Sequence, residues 1–344
     1  MELITLQNRN GLVAQFTSYG ARWVSMFTPD RNGNVADILL GFDTLSCYQK
    51  AHEAYHGAIV GRVCGRVANA RFFRNGHMYK LAENDVYGQP IRNHLHGGIH
   101  ALHNRFWHVD AIRKDESGEE SVIFSTVSPD GEEGYPGNLF CKVTYTLRHD
   151  NVLTLSCEAT CDKETPVNIT NHAFFNLNGH EEKNIENHIL SLNSSSIIEC
   201  DENLLPTGKI LSVTDSDLDF HIPKKITSSL HSKLFGIDQT GGFSLAYVLN
   251  TNATALHKAA ELSEEKSGRL VSIYTNQPSL QVYTGYFMDG SDIGKYGIPY
   301  KKSAGIALEP QGYPDALSHP EFPSIFIGPD TTFHHYTEYH FELL

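Results

Sequence analysis

No apolar run in this 344-residue chain approaches the roughly eighteen residues that a membrane-spanning helix requires, so a soluble protein is expected. The opening residues, "MELITLQNRNGLVAQF", lack the basic stretch, apolar core and small-residue site of a secretory leader, and we expect a cytoplasmic location. Positive charge is scarce as well: 27 Lys and Arg face 40 Asp and Glu, a formal net charge of −13. A nucleic acid or an anionic membrane surface calls for a basic patch. Neither is expected as a partner, and a neutral small molecule suits this balance better. The six cysteines (Cys47, Cys64, Cys141, Cys157, Cys161 and Cys200) include no C-x-x-C pair of the zinc type, so reduced structural thiols are expected. There is no Pro/Gly/Ser-rich linker and no internal repeat of fixed period, so residues 1–344 read as one domain. Three Asn-x-Ser/Thr triplets begin at Asn168, Asn193 and Asn252, but such triplets matter only in a secreted chain.

Helical periodicity is also sparse, confined to 253–266 ("ATALHKAAELSEEK") and 224–235 ("KKITSSLHSKLF") as candidate short helices. What fills the chain instead is short alternating segments between turn residues, among them "SVIFSTVSP", "FSLAYVL", "RLVSIYT" and "EYHFELL". This pattern predicts an all-β fold. Around "LRHDN" it predicts a hairpin, with Val143, Tyr145 and Leu147 on one face of the first strand and Leu153, Leu155 and Cys157 on one face of the second. The charged stretch 113–120, "RKDESGEE", reads as a solvated turn between strands.

Polar groups with chemistry sit on these strands. In "TPVNITNHAFFNLNG" (165–179) alternation puts Val167, Ile169, Ala173, Phe175 and Leu177 on one face and Asn168, Thr170, His172, Phe174 and Asn176 on the other. Taken alone, His172 reads first as a satisfied histidine on an ordinary half-solvated strand, ahead of a functional one. In "AGIALEPQGYPDA" (304–316), Glu309 and Gln311 share the face opposite Ile306 and Leu308. A carboxylate there is either used, with a pKa raised by burial, or paired with an arginine such as Arg66. Gln281 and Tyr283 fall on one face of their strand, opposite Val282. The densest histidine cluster, "NHLHGGIHALH" (93–103), offers His94 and His96 in an H-x-H pattern, with His100 and His103 beyond. Gly97 and Gly98 follow where a metal site would add a carboxylate, so no metal is expected. The glycines imply a turn or a close backbone approach at a pocket rim.

Seven segments together, "VGRVCGRVANARF", "NHLHGG", "TPVNITNHAFFNL", "LLPTGKI", "DLDFHIPKKI", "LQVYTGYF" and "GIALEPQGYPDA", occur in an order that resembles the aldose 1-epimerase (galactose mutarotase) family over nearly the whole chain. The resemblance implies a large, mostly antiparallel β-sandwich of the supersandwich type. It implies an isomerase that interconverts the anomers of a free aldose by ring opening and reclosure, needs no cofactor, and acts as a monomer or homodimer. His172 falls on the general acid and Glu309 on the general base. Arg66, His96 and Gln281 fall on sugar contacts, and Phe174 is expected to help hold the sugar. Ser244 stands where members carry an aspartate that binds a sugar hydroxyl. That difference points to an altered hydroxyl preference, with Asp238 as a nearby substitute. A non-catalytic sugar-binding or sensor protein of the same fold, or an epimerase on a different sugar, are the alternative readings.

Overall fold

The computed structural model describes residues 1–87, 92–251 and 255–344. Strand pairing is antiparallel throughout the described ladders. Nine strands form the largest sheet, in the order His108–Lys114, Glu120–Ser128, Leu139–Leu147, Val152–Cys161, Phe333–Leu343, Arg269–Thr275, His257–Ser263, Ile189–Leu192 and Lys224–Lys225. A six-stranded sheet runs Phe174–Phe175, Ile306–Gln311, Ser279–Tyr283, Ser244–Leu249, Ser194–Cys200 and Pro206–Ser212. A third, of four strands, spans Ile4–Gln7, Val13–Thr17, Arg22–Pro29 and Val35–Asp37.

Alternation explains how the sheets meet. Val143, Tyr145 and Leu147, with Leu153, Leu155 and Cys157 across the hairpin, point inward from the large sheet. They share one apolar cluster with Leu280, Val282, Ile306 and Leu308 of the six-stranded sheet and with Leu6, Phe16 and Trp23 of the first. Burying these side chains removes apolar surface from water at about 25 cal/mol per Å². It also fixes register, because a one-residue slip would turn every inner side chain outward. The opposite face of the six-stranded sheet therefore carries Gln281, Tyr283, Glu309 and Gln311 away from this core.

Three sequence expectations change. Residues 165–177 are not one strand but three two-residue pieces, Thr165–Pro166, Thr170–Asn171 and Phe174–Phe175, each paired with a different neighbour. The Asn171 side chain bonds Gly57 O and Tyr145 Oη and accepts from Ala173 N, a local competition that interrupts the ladder. The alternation survives: Val167, Ile169, Ala173, Phe175 and Leu177 all enter the main core. The candidate helix at 253–266 is instead strand His257–Ser263, because pairing with Arg269–Thr275 overrides the weak helical preference of its alanines and glutamates. Residues 252–254, with the triplet at Asn252, lie outside the described residues. The candidate helix at 224–235 forms only 3₁₀ turns at Ile226–Ser229 and Leu234–Gly236.

The glycines after His96 mark a close approach. Gly97 has φ +87°, and a Cβ there would lie 1.8 Å from Gly61 O. Gly33 has a similar φ, +84°, with nothing within 4 Å. Gly33→Ala should therefore cost about 1 kcal/mol for the left-handed backbone alone. Gly97→Ala should cost roughly 2–4 kcal/mol, because backbone must move as well. Urea denaturation of both variants measures the difference; equal losses would show that the approach of Gly61 does not matter.

Candidate active site

Two tethers place His172 over the strand that carries Glu309. Thr170 Oγ1 donates to Pro310 O at 2.7 Å, and Phe174 pairs with Ala307, so the intervening histidine is held opposite the carboxyl. Its own backbone is pinned by His172 N to Ala58 O at 2.9 Å and by Gly57 N to His172 O at 2.8 Å. His172 Nε2 then stands 3.5 Å from Glu309 Oε1, with both side chains buried. Tyr55 stacks on the imidazole at 5.6 Å and His96 meets it edge-on at 5.2 Å. Together they form the floor of a cavity that Glu53, Tyr87, Tyr283 and Gln311 also line.

Around this floor the structure brings together Arg66, His96, Ser244 and Gln281. Arg66 is not the partner of Glu309: its Nε bonds the buried Asp85 at 2.7 Å, which fixes the guanidinium at the cavity edge. His96 sits at φ +50°, and its Nδ1 accepts from Gly65 N at 3.3 Å, so the ring proton is on Nε2. Gln281 is the register partner of Glu309, and its Nε2 donates to Ser244 Oγ at 2.9 Å.

Other expected contacts are placed elsewhere. Phe174 is fully buried behind His172, at 4.9 Å between rings, and does not line the cavity. Its strand face is covered rather than open, so the aromatic lining comes from Tyr55, Tyr87, Tyr283 and Phe287. Asp238 lies in the short helix Ile237–Thr240, outside the cavity lining. His94 and His96 do not act as a pair, because the bend at His96 and Gly97 turns them apart. His94 binds Ala82 O and Tyr135 Oη through its two ring nitrogens, each at 2.8 Å. His100 is exposed, and His103 is buried against Tyr55.

One carboxyl escaped the sequence reading. Glu53 is buried in the cavity wall, accepting from Tyr283 Oη at 3.3 Å, while Asp292 holds the backbone N–H groups of His52 and Glu53. Residues 52–57 form a bend and turn, so no alternation in the sequence marks Glu53.

The electrostatics follow from burial. Glu309 is held well above the ordinary carboxylate range by desolvation and then by the negative charge of Glu53. Desolvation pushes His172 down to about 3, with the Arg22 charge adding to it. Glu53 rises to about 8, chiefly by burial and against the Tyr283 hydrogen bond. His172 Nδ1, Glu309 Oε2 and Gln311 Nε2 are buried without hydrogen-bond partners among the described residues. Buried polar atoms are seldom left unpaired, and all three residues line the cavity.

A family model described as aldose 1-epimerase matches residues 2–340. A galactose mutarotase from Bos taurus is 36% identical over 95% of this chain and 90% of its own. An aldose 1-epimerase from Haemophilus influenzae is 37% identical over 93% and 89% respectively. Among solved structures, an aldose epimerase homologue from C. elegans superposes with a TM-score of 0.88 at 30% identity, covering 100% of this chain and 99% of that one.

The buried histidines make a pH prediction. Burial holds His56, His94, His96, His103, His172, His180, His188 and His335 below their ordinary value. Their contribution to stability is full above about pH 6.5, where the unfolded chain is also neutral, and is lost as pH falls toward the depressed folded values. Glu53, Glu309 and Asp315, all raised, act oppositely, favouring the fold at low pH and losing that effect as pH rises above about 4.5. Eight groups outweigh three. Between pH 6.5 and 4.5 the unfolding free energy should therefore fall as pH is lowered. A flat profile from urea melts across that window would contradict it.

Proposed function

The chain belongs to the aldose 1-epimerase family, and from that premise we propose that His172 and Glu309 carry the two proton transfers that interconvert the α and β anomers of a free aldose. Ring opening takes the proton from O1 and delivers one to the ring oxygen O5. Rotation about C1–C2 and closure on the other carbonyl face reverse both transfers. O1 and O5 are bonded to the same carbon, so the base and the acid must stand only a few ångströms apart. The observation that carries this reading is the 3.5 Å approach of two buried titratable groups with unpaired polar atoms.

Burial leaves the free pair with its proton on Glu309 and His172 neutral. An anomeric hydroxyl donating to Glu309 and a ring oxygen accepting from His172 both favour the charged arrangement, imidazolium beside carboxylate. Their mutual attraction in a water-poor cavity supports it further. Glu309 then acts as base toward O1–H and His172 as acid toward O5. General acid–base transfer of this kind contributes about 10²–10⁴-fold.

Arg66, His96 Nε2–H, Gln281 and Glu53 supply hydrogen bonds to the remaining hydroxyls, and Tyr55 and Tyr283 supply apolar ring faces. Galactose, after which the Bos taurus relative is named, is a natural first substrate. Ser244 offers a neutral contact already engaged by Gln281, and charge-assisted hydrogen bonds are roughly twice as strong as neutral ones. Discrimination at that hydroxyl should accordingly be weak, and glucose should also be turned over.

Polarimetry of freshly dissolved α-glucose and α-galactose tests the assignment. His172→Ala and Glu309→Ala should each lower kcat about 10²–10⁴-fold with circular dichroism unchanged. Full rates in both variants would remove the two residues from the mechanism.

A further inference from the structure

Gln311 closes the strand that carries Glu309, two residues beyond it on the same outward face. Strand geometry sets the two α-carbons about 7 Å apart, close enough for both side chains to reach one ligand atom. Their free atoms are the right ones. Glu309 Oε1 is the oxygen 3.5 Å from His172 Nε2, whereas Glu309 Oε2 and Gln311 Nε2 are both buried without a hydrogen-bond partner among the described residues. An amide donor and a carboxyl acceptor thus stand side by side in the cavity, and neither is bonded to the other.

The amide is held in one orientation. Its oxygen accepts from Cys64 Sγ at 3.0 Å, and the Gln311 backbone carbonyl accepts from Ser279 Oγ at 2.8 Å. Cys64 is fully buried, with its backbone N–H pinned to Asn168 O at 2.8 Å, and it lies outside the cavity lining to which Gln311 belongs. Burial, and then the charge of Glu309, pushes the Cys64 thiol well above its ordinary value, so it stays protonated and serves as a donor. With the amide oxygen turned back to this thiol, the NH₂ group is left on the cavity side. A buried donor fixed in place without an acceptor is costly unless a ligand supplies one.

The reaction brings one acceptor whose charge changes beside Glu309. On ring opening the O1 proton passes to the Glu309 carboxylate, an electron pair of O1 forms the C1=O1 bond, and the C1–O5 pair leaves to O5, which takes the proton of His172. Closure on the other face runs in reverse: O5 returns its proton to His172 as it attacks C1, the π pair moves onto O1, and O1 recovers its proton from Glu309. O1 is most negative between these transfers. A donor already in position stabilises that charge without reorganising.

We propose that Gln311 is a further catalytic residue, its Nε2–H donating to the anomeric oxygen O1 while Glu309 removes and returns the O1 proton. The proposal rests on the assignment of Glu309 to O1 and His172 to O5. A glutamine bound to a hydroxyl elsewhere on the sugar would instead hold substrate and transition state alike.

Mutarotation kinetics of α-glucose and α-galactose separate the two roles. Gln311→Met keeps the length of the side chain and removes its donors; Gln311→Asn withdraws the amide by one methylene, and decides the matter alone should the methionine variant not fold. Each should lower kcat roughly ten- to hundredfold on both sugars, the range of one hydrogen bond to a charged group, with KM little changed and circular dichroism as in wild type. A raised KM with kcat held would put the amide on another hydroxyl, and unchanged kinetics would remove it from the reaction. Either result refutes the proposal and leaves the catalytic pair standing, provided His172→Ala and Glu309→Ala still lose their rate. If those two variants also keep full rates, the assignment beneath the proposal falls with it.

Discussion

A buried imidazole and a buried carboxyl that approach to 3.5 Å cannot titrate independently. Everything else in the cavity is arranged around that constraint. Desolvation disfavours charge on both groups, so the free site keeps one proton and no net charge on the pair. In the proposed mechanism the reaction needs the opposite arrangement, which a bound sugar favours by offering a donor to the carboxylate and an acceptor to the imidazolium.

The sheets explain why such a pair can be held. Glu309 is on a strand whose alternate residues, Ile306 and Leu308, are anchored in the main core. His172 is on a segment whose alternate residues Ile169, Ala173 and Phe175 enter the same core from another direction. Rigid packing behind each group fixes the space in front of it. Asp85 does the same for Arg66, and the Gly97 turn against Gly61 does it for His96.

Much of this was legible in sequence because strand alternation is local. The hairpin at 139–161, the inward faces of 165–177 and the outward Glu309, Gln311, Gln281 and Tyr283 all follow from counting by twos. What alternation cannot show is which segments cover an outward face. Phe174 has the same parity as His172 yet is sealed beneath it, because Leu40, Tyr283 and Tyr300 close over that end. Glu53 and Asp85 come from loops without periodicity, so their place in the site depends on contacts made far along the chain. The helix expected at 253–266 failed for the related reason that a neighbouring strand decided its conformation.

The shared proton is the account's central claim, and nuclear magnetic resonance of the free protein with labelled histidine rings and glutamate carboxyls observes it directly. At pH 7, Glu309 should be protonated and His172 neutral, with His172 remaining neutral to below pH 5. A Glu309 that ionises near pH 4.5 and a His172 that protonates near 6.5, each as in water, would show that the two groups do not share a buried site.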